Sequence, residues 1–219
     1  MRDHFAPYQD LADFLLSAFD ANEAGGSHDL SHIVRVWRNA AHIARTEPEC
    51  DTELLLAAAI LHDCVAVEKS SPRRPLASRL SAARAREIVA PLNWSPARLD
   101  GLAHVIETHS FSAGLVPETP EAKVFQDADR LDAIGAIGVA RCFHVGGRMD
   151  GALYHLGDPG AEARPLDDRA YALDHFPAKL FKVAGGFLTA EGSRMAAART
   201  ALMTDFVAAL RAEIEGDLK

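Results

Sequence analysis

Four short stretches of this chain set imidazoles and carboxylates close together: His28, Asp29 and His32; His62 and Asp63; His104, Glu107 and His109; and Asp127, Asp129 and Asp132. The second stands out by its surroundings. In AAAILHDCV, residues 57–65, an apolar run leads straight into His62 and Asp63, and Cys64 to Val67 then resume it. A carboxylate buried alone costs several kcal/mol, so something must compensate Asp63. A divalent cation would, because it offsets the carboxylate charge and takes the lone pair of a neutral imidazole. Side chains of adjacent residues on an ideal helix diverge by about 100 degrees. His62 and Asp63 can therefore share one ion only at a frayed or distorted helix end.

Each stretch also has a plain interpretation. His62 alone reads as a hydrogen-bonded core histidine, Asp63 as a C-terminal helix breaker, and Cys64 as a small buried hydrophobe. Asp127, Asp129 and Asp132 fit a solvated face, although apolar residues surround them in VFQDADRLDAIGAIG. Lys69, Arg73 and Arg74 fit a solvated loop or a phosphate contact. Other chemistries are missing: the chain has no GxxxxGK, GxGxxG, GxSxG or HExxH.

The elements that must position these residues read as helices. Leu11, Phe14, Leu15, Ala18 and Phe19 predict an N-terminal helix over 8–21. Ser27 is placed to cap a second helix to about Arg45, ended by Pro48. Asp51 caps a third over 52 to about 67, apolar on nearly every side and therefore central. Ser78 opens a helix that stops before Pro91. Ser95-Pro96 and Thr119-Pro120 start two more, the latter running to about Phe143. Residues 146–173, rich in Gly, Asp and Pro, predict a long irregular excursion. A short helix near 177–183 and an amphipathic one over 191–215 follow, the latter with Met195, Ala198, Leu202, Phe206, Ala209 and Leu210 on its apolar face. The fold class is all-α, a helical bundle.

The order His32, His62-Asp63, Asp129 resembles the H…HD…D signature of the HD-domain metal-dependent phosphohydrolases. The surrounding words SHDLSHIVRVWRNAAHIA, AAILHDCV, ETHSFS, AKVFQDADRLDAIGAIGVAR and PLDDRAYALDHFPAKLFKV are similar to a bacterial subgroup of small HD hydrolases. The likeness runs from about residue 20 to the C-terminus. It implies that the whole chain, 1–219, is one HD-type domain. It further implies that His32, His62, Asp63 and Asp129 bind one divalent ion, for which Mn, Mg, Fe, Ni and Zn all suit the mixed nitrogen and oxygen donors. His104 and His109 are candidates for a second ion, but their spacing puts them on different helix faces. His109 is better placed beside the first site or against substrate.

The implied activity is hydrolysis of a phosphate ester or anhydride. The substrate would be a small phosphorylated molecule, with a nucleoside triphosphate split to monophosphate and pyrophosphate preferred. The ion would activate water and a phosphoryl oxygen. His109 or Glu68 would orient water or protonate the leaving group, although Val67 stands where stringent-response relatives carry an acid before Glu68. Lys69, Arg73, Arg74, Arg130 and Lys179 are the cations assigned to the phosphates, with the excursion as a lid or pocket wall. The alternative is a sensor module that binds metal or nucleotide without turnover, against which all four metal positions are present. A di-iron oxygenase on the same scaffold would require more histidines.

Bulk properties agree. The 219 residues carry a net charge of −8, which disfavours stable nucleic-acid binding. The N-terminus lacks the apolar core of a signal peptide, and no apolar stretch approaches a bilayer span. Cys50, Cys64 and Cys142 are far apart and odd in number, which fits a reducing, cytoplasmic setting. The long C-terminal helix leaves room for a homodimer.

Overall fold

In the computed structural model, residues 2–18, 30–68, 71–110 and 113–216 are described. The chain forms two compact units, Met1–Asp129 and Arg130–Lys219. All regular elements among the described residues are helical, and a single bridge pairs Ala152 with Tyr171. No helix among them is long and apolar enough to cross a membrane.

The first unit is built around α3 (Thr52–Leu61), in which every residue from Leu54 to Leu61 is buried. Asp51 caps it as its residue type predicts, accepting from the Leu54 amide. Around it pack α1 (Gln9–Ser17), α2 (Leu30–Ile43) and α5 (Pro96–His109). The last predicted turn of α1 and the Ser27 cap lie outside the described residues. Arg98 of α5 forks onto Asp51 at 2.7 and 2.8 Å and reaches Glu53, which ties the start of α5 to the start of α3. Ser95 caps α5 and Pro96 opens it.

Two boundaries in this unit differ from expectation. α3 stops at Leu61 rather than near Val67, with His62 as its C-cap. The sequence is apolar beyond that point, but His62 turns its Nδ1 back onto the Ala59 carbonyl while its Nε2 meets His32 of α2, and Asp63 meets His109 of α5. α4 (Ala77–Val89) begins after a 3-10 turn at Arg74–Leu76, and Ser78 lies buried in its first turn instead of capping it. The hydroxyl of Ser78 has no partner there.

α6 spans Pro120–Asp132 and crosses from the first unit into the second. Thr119 caps it through the Ala122 amide. The helix predicted to reach Phe143 is in fact two, because the chain breaks after Asp132 and resumes as α7 (Gly135–Arg148). Gly135 adopts φ +72°, open to a residue without Cβ, and a Cβ on Gly138 would stand 2.4 Å from the Ala133 carbonyl oxygen. Arg199 donates to the Leu131 carbonyl and so satisfies the exposed end of α6.

In the second unit α7 packs on α9 (Ala190–Glu215), and Phe143, Phe176, Phe181 and Phe206 form an aromatic cluster. The buried side of α9 is Gly192, Ala196 and Met203, whereas Ala198, Leu202 and Ala209 are exposed. The predicted stripe is thus out of phase: in a helix this rich in alanine, hydrophobicity alone does not say which alanines meet the neighbour. The excursion shortens, since α7 runs to Arg148, and it is ordered by Arg164. That guanidinium grips Asp174 at 2.5 and 2.8 Å, donates to the Asp158 carbonyl, and lies 4.7 Å from the Tyr171 ring. The short predicted helix is a π turn, Phe176–Leu180, followed by α8 (Phe181–Val183).

Candidate metal centre

Five of the predicted residues converge in the first unit. His32, in the first turn of α2, brings Nε2 to 3.2 Å from His62 Nε2 and 3.6 Å from Asp129 Oδ1. His62 Nε2 lies 3.7 Å from Asp63 Oδ2, and His109 Nε2 lies 3.8 Å from Asp63 Oδ1. The side chains thereby form two overlapping sets able to hold an ion, His32, His62 and Asp129, and His62, Asp63 and His109. The imidazoles are buried, while the two carboxylates keep about a quarter of their surface open.

Local structure fixes which nitrogen faces the cluster. His62 Nδ1 lies 3.1 Å from the Ala59 carbonyl oxygen and His109 Nδ1 lies 2.6 Å from that of Ile106. A carbonyl only accepts, so each Nδ1–H donates to it and each Nε2 is left facing the cluster. Both residues end their helix and bond three residues back, to a carbonyl in the last turn that lacks a full complement of intrahelical donors. The same device operates twice. It turns two Nε2 atoms toward two carboxylates, a mixed nitrogen and oxygen set that fits a divalent ion.

The backbone adds to the field. α3 ends at Leu61 with His62 as its C-cap, α5 ends at His109, and Asp129 lies in the last turn of α6. Each helix C-terminus carries roughly half a negative charge, so three of them reinforce the carboxylates, against the opposing N-terminus of α2 at His32. Burial drives the His62 imidazole down to about 4, with Asp63 pulling the other way and His109 adding to the depression, so the ring is neutral at pH 7. Phe125 closes the cluster from below, its ring centroid 5.5 Å from His62 and 6.2 Å from His109.

The other predicted residues stand elsewhere. Glu68 is exposed, with its carbonyl accepting from the Ser71 amide. Arg74 donates to the Val67 carbonyl at 3.0 Å and so secures the loop after Asp63, while Arg73 is exposed. Lys69, His28 and Asp29 lie outside the described residues. Arg130 and Lys179 belong to the second unit, where Arg130 donates to the Gly186 carbonyl and Lys179 is exposed. His104 accepts from the Glu118 amide at 3.0 Å, which separates its role from that of His109 as the helix spacing requires. Asp127 and Asp132 are buried rather than solvated.

This geometry can be set beside known proteins. The HD-domain family model matches residues 29–134, which include all five clustered residues. Over 199 residues the chain is 33% identical to the uncharacterized protein YpgQ of Bacillus subtilis, covering 89% of this chain and 88% of YpgQ. The chain belongs to the HD-domain family. The His62-Asp63 pair lies within the matched residues. Among solved structures, an HD-superfamily hydrolase from Bacillus thuringiensis matches this HD-domain protein with a TM-score of 0.72 and 26% identity, over 94% of this chain and 96% of the other. YpgQ crystallised in complex with ADP matches with a TM-score of 0.71 and 28% identity, over 97% of each chain.

Proposed function

We propose that this HD-domain protein is a metal-dependent phosphohydrolase acting on a nucleotide, most simply a nucleoside triphosphate cleaved to monophosphate and pyrophosphate. The observation that carries the proposal is the packing of His32, His62 and Asp129, and of His62, Asp63 and His109, into two sets that share His62. The ADP complex of YpgQ supports a nucleotide as ligand. His32, His62, Asp63 and Asp129 hold one divalent ion. His62 belongs to both sets and has one free lone pair, which favours a single ion over two. Such an ion supplies Lewis acidity toward water and toward a phosphoryl oxygen.

The chain's own groups do the rest. His109 Nε2 accepts a proton from the attacking water, while its Nδ1–H stays on the Ile106 carbonyl and keeps the ring oriented. Phe125 and the buried faces of α3 and α5 exclude bulk water, which strengthens each polar contact in the site. Exposed Arg73 and, four residues earlier in sequence, Lys69 bind the phosphate chain, and Arg74 holds the Val67 carbonyl. Glu68 is the alternative base, disfavoured by its exposure.

Phosphorus NMR of a mixed nucleoside triphosphate pool with Mn²⁺, beside an Asp63→Ala control, tests this. Pyrophosphate released by the wild type alone is the expected result. Inorganic phosphate would retain the site and move the bond broken. No release from folded, metal-loaded protein would favour a sensor that binds nucleotide without turnover.

A further inference from the structure

We infer that Asn39 and Gln126 are positioning residues of the metal centre, two buried amides that set the spacing of α2, α5 and α6 and through it the distances among the ligands. The inference rests on the metal-centre assignment above. Asn39 follows His32 by seven residues, two turns along the same face of α2. It is 7% exposed, and its Nδ2–H donates to the Ala128 carbonyl at 3.1 Å, one residue before Asp129. Gln126 precedes Asp129 by three residues on α6 and is 4% exposed. Its Nε2–H donates to the Thr108 carbonyl at 2.7 Å, one residue before His109.

Each amide therefore joins a helix carrying one site residue to the backbone beside another. Asn39 locks α2 to α6, the two helices whose His32 and Asp129 approach to 3.6 Å. Gln126 locks α6 to the end of α5, where His109 faces Asp63. Apolar side chains would fill the same volume, but they permit two helices to slip along each other. A directional hydrogen bond to one carbonyl does not, because slippage would strand a buried amide. The Thr108 carbonyl is in the last turn of α5 and has no continuing helix to pair with, so Gln126 is its natural donor. Ligands must be held to roughly 0.5 Å to bind a metal well. Groups that orient ligands without touching the ion typically alter affinity by about 10- to 100-fold.

The test titrates Mn²⁺ into the full chain and follows the free-ion EPR signal. Asn39→Leu and Gln126→Met are expected to weaken the Kd by about tenfold or more, while the far-UV circular dichroism and the metal-free melting midpoint stay near those of the wild type. Combining Gln126→Met with His109→Ala should give the Kd of His109→Ala alone, because the amide acts through the imidazole that faces the ligand Asp63. A purely structural amide would leave Kd unchanged in a folded variant, or would add its effect to that of His109→Ala, and either result overturns the inference. Should Asn39→Leu not fold, Asn39→Ser keeps a hydroxyl donor in less volume and carries the same comparison. A wild type that binds no Mn²⁺ defeats the metal centre itself. Wild-type binding with unchanged variants defeats only the positioning role.

Discussion

Asp174 in the second unit and Asp63 in the first are both carboxylates placed by helix ends, yet the fold treats them differently. The Asp174 side chain is 1% exposed, and its charge is matched within the chain by the Arg164 fork and the Asp167 amide. The Asp63 side chain is 26% exposed and faces the Nε2 atoms of His62 and His109. A guanidinium meets a carboxylate with a full opposite charge, whereas the imidazoles that face Asp63 bring ring nitrogens able to share an ion with it. One cluster is closed structure, and the other is an assembled set of donors. Asp51, forked by Arg98, belongs with the first kind, and Asp129, beside His32, with the second.

The sharpest way to break that comparison is to remove one carboxylate of each kind. Asp63→Ala should lower kcat for nucleotide hydrolysis by roughly 10³-fold or more, since several kcal/mol of transition-state stabilisation pass through a metal ligand. It should also abolish the rise in melting midpoint on adding Mn²⁺, while lowering metal-free stability less than Arg164→Met does, because Asp63 keeps about a quarter of its surface in solvent. Calorimetry with and without metal, beside steady-state rates, checks both. The second unit should respond in the opposite sense. Arg164→Met strands a buried carboxylate and should lower the melting midpoint by on the order of 5 °C, with or without metal. Adding Asp174→Leu should recover much of that loss. If Asp63→Ala destabilised the metal-free protein as much as Arg164→Met does, the distinction would fail.

Much of this was legible in the residues. The helical class followed from apolar spacing, and the caps Asp51, Ser95 and Thr119 marked starts that the fold keeps. The resemblance to the H…HD…D order implied His32, His62, Asp63 and Asp129; the fold groups His32, His62 and Asp129 in one set and His62, Asp63 and His109 in another. What the sequence could not give is where helices stop when apolar residues continue: α3 ends at Leu61 because His62 and Asp63 turn toward α2 and α5, a tertiary cause. The break at Gly135 had a local signal in LDAIGAIG that apolar periodicity outweighed. Asn39 and Gln126 carried no motif. A polar residue on an apolar helix face is their only trace, and it becomes informative only when the opposite carbonyl is known.

The Asp174 knot gives a smaller, pH-resolved contrast. Burial raises its carboxyl, but the Arg164 hydrogen bonds and the Asp167 amide outweigh burial and hold it below the ordinary value of 3.8. The folded pKa is depressed, so the stabilisation is fully present above the unfolded pKa and is lost as pH falls through the folded value. The difference in midpoint between wild type and Asp174→Asn should thus be constant above about pH 5 and shrink below about pH 4, which acid-range melting curves would show.

The smallest effect expected concerns Arg73, a guanidinium that, unlike Arg164, is exposed and has its backbone amide rather than its side chain held by Ser71. An exposed charge contributes about 0.2–1 kcal/mol to an ionic contact. Arg73→Ala should therefore raise KM for a triphosphate by about two- to fivefold with kcat unchanged, the pattern of lost uniform binding. That increase should fade as ionic strength rises, because solvent-exposed attraction is screened within about 10 Å at 0.1 M salt. A fall in kcat with KM constant would instead assign Arg73 to the transition state, and a KM insensitive to both substitution and salt would remove it from the phosphate contacts.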